Sequence, residues 1–306
     1  MSPMSPSLVI AIFGPTASGK TAVAEELARR LPSELVSADS MQVYRSLPIL
    51  TNQPSTPTRL VGIWELDHEA SVAEYAALAH EAIDEALAAG RVAIVVGGTG
   101  LYLRAALAEL EVPPAPDPEQ RRRWERRYDE IGPERAHAEL ADRDPAAAAA
   151  VHPNDRRRVV RALELAELGH TLKPEREALW TDETRHPTLV FGLDVPRELL
   201  HVRIAERTRA MFEAGVEEEV RRALERPRSA TARQMIGLTE VSELPREQAI
   251  EALDERTRAY AAYQRKWMRR IPGLVSLPGE RPPAELADAI LEVARARQRL
   301  PARRAG

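Results

Sequence analysis

A chain of 306 residues, 44% hydrophobic and 29% charged, can bury one large core or two smaller ones and does not have the make-up of a disordered protein. Its formal net charge of −4 sums 43 basic and 47 acidic residues, so a phosphate or nucleic-acid surface has to come from where the cations sit and not from their total. The lack of cysteine excludes disulfides, thiolate metal sites and a cysteine nucleophile, and agrees with a reducing cytoplasm, the expected compartment.

Met1 to Ser7 is rich in Pro and Ser and has no basic n-region, so the apolar run Leu8–Phe13 reads as a buried parallel strand, not as a signal peptide. No apolar run approaches the roughly 20 residues of a membrane helix, and no membrane contact is expected. Lys20 to Leu31 is helical, with Val23, Leu27 and Leu31 on one face. Glu34–Ala38 reads as a second strand, Ala73 to Ala89 as a helix, and Arg91–Val96 as a third strand ending in Gly97-Gly98. Alternating strands and helices imply a parallel sheet covered on both faces. Pro113, Pro114, Pro116 and Pro118 then mark a boundary, followed by an Arg-dense helical stretch to about Arg185. Thr188–Val195 and Leu274–Leu277 read as further strands with helices between, and the tail after Leu300 as frayed. The expected fold class is α/β: a parallel-sheet core from 1–112 and 186–306, with an all-helical subdomain inserted at 113–185. A monomer is expected.

Gly14-Pro15-Thr16-Ala17-Ser18-Gly19-Lys20-Thr21 matches G-x-x-x-x-G-K-[ST], after a buried strand and before a helix, which makes the core P-loop NTPase-like. Glycines let the backbone N–H groups turn toward phosphate oxygens, Lys20 adds a charge, and the helix start adds partial positive charge. Thr21 is the candidate ligand for Mg²⁺ or a phosphate oxygen. The loop says phosphate, not which phosphate. Ligands in open α/β sheets bind beyond the carboxyl ends of the strands, where Asp39 to Arg45 and Gly97 to Tyr102 also lie. Asp39 is open to a role as metal ligand, general base or N-cap. Gly98 and Gly100 around Thr99 suggest close backbone approach to a ligand, or a plain tight turn.

The combination GPTASGKT, DSMQVYR, VGGTGLYLRA and HPNDRRRVVRALE (His152–Glu164) resembles the tRNA dimethylallyltransferase family. So do the segments from Arg203 to Val220, Ile236 to Glu240 and Thr257 to Arg269. The resemblance implies transfer of a dimethylallyl group from its diphosphate to N6 of the adenosine 3′ of the tRNA anticodon. It implies Asp39 as the base and Thr99 as the group that orients it or the amine, because an exocyclic adenine amine needs its proton removed as the C–N bond forms. Gly14, Thr16, Ala17, Ser18, Gly19, Lys20, Thr21 and Arg269 are then expected on the diphosphate, with Mg²⁺ at Thr21. Asp39, Ser40, Met41, Gln42 and Thr99 are expected at the target nucleotide, and Arg157, Arg158 and Arg161 on the anticodon stem-loop. Tyr260, Tyr263, Gln264 and Trp267 form a stripe read as core before base-stacking platform.

The chain departs from the family pattern in three places. Leu47–Pro54 lacks the usual acid, Gly and Lys; Gly62–Asp67 lacks a paired His; and Tyr263 stands where a basic residue precedes Gln264. Two other readings stay open at this stage: a P-loop kinase or transferase acting on free adenine nucleotides, and a catalytically weakened tRNA-binding paralogue. The Arg-rich insertion argues against the first, and retention of Lys20, Thr21, Asp39 and Thr99 against the second.

Overall fold

A computed structural model describes residues 8–114, 117–172 and 178–299. Met1 to Ser7, Pro116, Lys173 and the tail from Leu300 lie outside the described residues. In chain order the elements are β1 (Val9–Phe13), α1 (Lys20–Arg30), β2 (Ser33–Ser37), α2 (Val72–Ala88), β3 (Val92–Gly97) and α3 (Gly100–Leu107). Then come α4 (Pro118–Ile131), α5 (Pro133–Arg143), α6 (Pro145–Ala150) and α7 (Arg156–Glu167). The chain continues with β4 (Thr188–Asp194), α8 (Arg197–Glu213), α9 (Val216–Leu224), α10 (Leu238–Glu243), α11 (Arg246–Met268), β5 (Val275–Pro278) and α12 (Pro283–Arg299).

The described residues divide into two compact units: Leu110–Ala178, and the remainder of the chain on either side of it. The inserted unit starts and ends a few residues earlier than the Pro-rich signal and the Arg-dense composition suggest. Composition changes gradually there, whereas packing switches at once.

In the larger unit the five strands form one sheet in the order β2-β3-β1-β4-β5, every pairing parallel. β1 and β3 are buried along their whole length, which is why they read as unbroken apolar runs. Ile10, Ile12, Ile94, Val96, Phe191 and Leu193 point to the face covered by Val23 and Leu27 of α1 and Leu286 and Ile290 of α12. α2 and α3 pack on the sheet's opposite face. Arg185 N–H donates to the Leu107 carbonyl at 2.8 Å, and the Arg185 guanidinium grips Asp84 at 2.9 Å, so the chain is tied where the insertion leaves and returns. The smaller unit has its own core, with Trp124 and Tyr128 of α4 against Leu140, Val159 and Leu163.

Candidate active site

The carboxyl ends of β1, β2 and β3 bring together the three loops picked out in the sequence. Ala38 N–H donates to the Val96 carbonyl at 2.8 Å and Thr99 N–H to the Ala38 carbonyl at 3.3 Å. A Cβ on Gly97 would lie 2.0 Å from that Ala38 oxygen, so this crossing requires glycine.

The loop between β1 and α1 is shaped for an anion. Gly19 enters the helix left-handed at φ +86, and no side chain caps α1, whose first turn carries no acid. The first helical N–H groups are thus left for an outside acceptor. Ala17 also sits left-handed at φ +61, a strain of about 1–2 kcal/mol for a residue with a Cβ. Ser18 Oγ is buried with no hydrogen-bond partner. A Cβ on Gly14 would lie 2.5 Å from that oxygen, so the loop closes this tightly only around glycine.

A cavity of about 550 Å³ opens beside this loop, lined by Lys20, Thr21, Asp39, Arg203, Arg207 and Tyr260 among others. Lys20 is half buried as a residue, but its ammonium is withdrawn from water. Burial pulls its pKa down to about 8, with Asp39 opposing and Arg207 assisting the shift. Arg207 was not singled out from the sequence, where one Arg among many gives no signal. Its Nε is buried with no hydrogen-bond partner, and burial lowers its pKa against the pull of Asp39. Burial, then the Asp39 charge, raises the Tyr260 phenol well above its ordinary value. Asp39 is thus the carboxylate common to these three polar groups. Its Oδ1 accepts the Met41 N–H at 3.0 Å, which closes a short turn; Asp39 is not an N-cap.

Thr99 holds the neighbouring residue. Its Oγ1 accepts the Ser40 N–H at 3.1 Å and lies 3.2 Å from Ser40 Oγ and 3.5 Å from the Tyr260 hydroxyl. The amide of Gln42 is engaged within the protein: it accepts from Ser37 Oγ at 3.1 Å and donates to the carbonyls of Thr51 and Asn52 at 3.3 and 2.9 Å. Gln42 lines the cavity while fastening the Leu47–Pro54 stretch.

The stripe on α11 has a structural task that its spacing alone did not disclose. Gln264, 2% exposed, accepts the Thr16 N–H at 2.7 Å and donates to the Gly98 carbonyl at 2.9 Å. One side chain therefore ties the phosphate loop to the Thr99 loop. A Cβ on Gly98 would lie 2.3 Å from Gln264 Nε2, and one on Gly100 2.2 Å from the Trp267 ring. At these glycines the protein's own side chains make a close approach. Beyond Trp267 stand Trp180, with ring centroids 4.9 Å apart, and the Arg270 guanidinium 3.7 Å over Trp180. Tyr263 points away from this stripe, 54% exposed.

Two sequence candidates fall elsewhere. Arg269 is exposed at the end of α11 and is not among the cavity-lining residues, whereas Arg203 and Arg207 of α8 are. In the smaller unit Arg157 and Arg158 are exposed on α7, but Arg161 is only 15% exposed and bonds Glu164 at 3.0 Å and the Pro114 carbonyl. Among the described residues no three His, Asp or Glu gather as a metal cluster, and no helix is long and apolar enough to cross a membrane.

A parallel sheet with a glycine-rich loop after its first strand and a cavity at the strand ends is the layout of a phosphate-handling α/β protein. A family model described as IPP transferase matches residues 42–271, and one described as isopentenyl transferase matches residues 7–62. A tRNA dimethylallyltransferase of Anaeromyxobacter dehalogenans (strain 2CP-C) is 43% identical over 291 residues, covering 91% of this chain and 97% of its own. That of Thermobifida fusca (strain YX) is 41% identical, with 90% and 91% covered. The crystal structure of tRNA delta(2)-isopentenylpyrophosphate transferase from Staphylococcus epidermidis superposes with a TM-score of 0.68 at 29% identity, covering 97% of this chain and all of the other. A eukaryotic dimethylallyltransferase solved acting on tRNA gives 0.74 at 25% identity, with 97% and 81% covered. The chain belongs to the tRNA dimethylallyltransferase family.

Proposed function

We propose that this protein transfers a dimethylallyl group from dimethylallyl diphosphate to N6 of the adenosine immediately 3′ of a tRNA anticodon, releasing pyrophosphate. The observation that carries the reading is a cavity in which the phosphate loop, withdrawn cations and Asp39 lie together with apolar residues. The N6–C bond forms as the allylic C–O bond breaks; the electron pair leaves with pyrophosphate and the N6 proton passes to Asp39. Lys20, Arg207 and the open N–H groups of α1 hold the diphosphate and take up the charge that grows on it, an effect strengthened by their withdrawal from water. Ser18 Oγ supplies a further donor to it. Thr99 positions Asp39 indirectly, through Ser40, with Tyr260 behind it.

The Thr21 hydroxyl, a hard oxygen donor at the start of α1, fits Mg²⁺, with the diphosphate oxygens providing further ligands. What the ion supplies when bound is neutralisation of charge on the diphosphate oxygens. The helical unit meets the anticodon stem-loop, Arg157 and Arg158 contributing phosphate contacts. Arg161 supports α7 from within.

Incubation of the protein with dimethylallyl diphosphate, Mg²⁺ and unmodified tRNA, followed by mass analysis of the nucleosides, tests the reading. Isopentenyl-adenosine is expected, and Asp39→Ala is expected to lower its rate about 10²–10⁴-fold with donor binding kept. Salt-sensitive tRNA binding without product would overturn the reading in favour of a weakened paralogue.

A further inference from the structure

The polar end of the cavity belongs to the diphosphate; its apolar end has no part in that chemistry. Four residues of α11 line the cavity in succession: Leu253, Thr257, Tyr260 and Gln264. With a rise of about 1.5 Å per residue, Leu253 lies roughly 16 Å along the helix from Gln264, which is bonded to the phosphate loop. α8 repeats the gradient, Met211 standing one turn beyond Arg207. The two helices pack on each other through Leu200, Ile204 and Ala261. Between them the lining passes from charged to mostly uncharged, with Leu50, Met211, Ile236 and Leu253 among its apolar members.

The far end is lined by side chains largely withdrawn from solvent. Leu50, Met211 and Leu253 are 6%, 7% and 4% exposed, and they come from three separate segments. Leu50 and Leu253 meet over Gly237: a Cβ there would lie 2.6 Å from one and 3.0 Å from the other. Gly237 sits at φ +93, so neither space nor backbone admits a side chain at that point. The wall is also held from behind. Glu219, 7% exposed, accepts the N–H groups of Ile49 and Leu50, each at 2.8 Å. Leu50 lies in the Leu47–Pro54 stretch where this chain departs from its family's pattern.

We propose that Leu50 and Leu253 form the back wall of a blind pocket that admits a five-carbon prenyl tail and refuses longer allylic diphosphates. The proposal rests on the prenyl-transfer reading above. A closed wall of packed side chains excludes an extra isoprene unit by overlap, since interiors at native density do not yield several carbons of space.

The experiment offers equal dimethylallyl and geranyl diphosphate to the wild type, Leu50→Ala and Leu253→Ala, and weighs the prenylated adenosines by mass. The wild type is expected to give the five-carbon product alone. Each variant is expected to slow that reaction and raise the geranyl-to-dimethylallyl ratio of kcat/KM at least tenfold. Ile236→Phe, which fills the same end, is expected to raise the KM for dimethylallyl diphosphate while inhibition by inorganic pyrophosphate stays as it was; this arm holds even where an alanine variant does not fold. Geranyl transfer by the wild type, or folded alanine variants with an unchanged ratio, overturns the wall. An Ile236→Phe effect shared by pyrophosphate overturns it too. A wild type that transfers neither group defeats the prenyl-transfer reading itself, a result separable from the others.

Discussion

The two units treat cations in opposite ways. In the helical unit arginines are met by carboxylates: Arg121 and Arg161 on the fully buried Glu164, Arg123 on Glu167, Arg127 on Glu139, Arg156 on Asp129 and Glu125. In the cavity of the larger unit Lys20 and Arg207 are withdrawn from water, Arg207 Nε has no partner, and both carry pKa values lowered by burial. A dense run of Arg is therefore a weak guide to an anion site, because several of those arginines hold helices together. A withdrawn cation with no ion pair of its own is the better guide, since folding alone returns little on its desolvation.

Replacing one arginine from each setting breaks the comparison most sharply. Arg207→Ala removes a charged donor, each such bond being worth about 1.5–3 kcal/mol, so the donor kcat/KM is expected to fall about ten- to a hundredfold. The melting temperature should hold or rise, because a buried Nε without a hydrogen-bond partner has left the interior. Arg161→Ala should do the reverse, lowering the melting temperature and leaving donor kinetics alone. Steady-state kinetics and calorimetry on the two variants decide it, and a fall in melting temperature for both would erase the distinction.

Much of this was legible in advance, for identifiable reasons. β1 and β3 announced themselves because burial along their whole length forces unbroken apolar runs, and the phosphate loop because its glycines are irreplaceable: Gly14 closes on Ser18 and Gly19 is left-handed. Gln264 was not legible as a bridge, since its partners Thr16 and Gly98 are 248 and 166 positions away. For the same reason Gly98 and Gly100 pointed to a close approach without saying that α11 made it. Arg207 carries no local sequence mark, and only its lack of a partner in the folded protein sets it apart from Arg161.

A second test uses pH on the cavity side. The Lys20 pKa in the folded protein, about 8, lies below its ordinary 10.5. The folded state therefore holds this proton less tightly than the unfolded one, and stability from this group is expected to rise between about 8 and 10.5. Donor capture needs the ammonium and should run the other way. The donor kcat/KM is expected to fall as pH rises through about 8, up to tenfold per unit. Lys20→Arg keeps the charge and should remove that limb; a limb unchanged in Lys20→Arg would assign it to another group.

The smallest effect is expected on α7, where two arginines three positions apart face different fates. Arg158 is 67% exposed and only 3.7 Å from Asp155, a weak surface pair that a phosphate can replace at little cost. Arg158→Ala should weaken tRNA binding a few-fold and reduce the slope of log affinity against log salt by about 1. Arg161 instead serves Glu164, a carboxylate with no exposure at all, and phosphate binding by Arg161 would leave Arg121 as that carboxylate's one remaining cation. Equal salt slopes for Arg158→Ala and the wild type would place the RNA contact elsewhere on the unit. Loss of slope in Arg161→Ala instead would mean that the buried carboxylate gives up a partner when RNA binds.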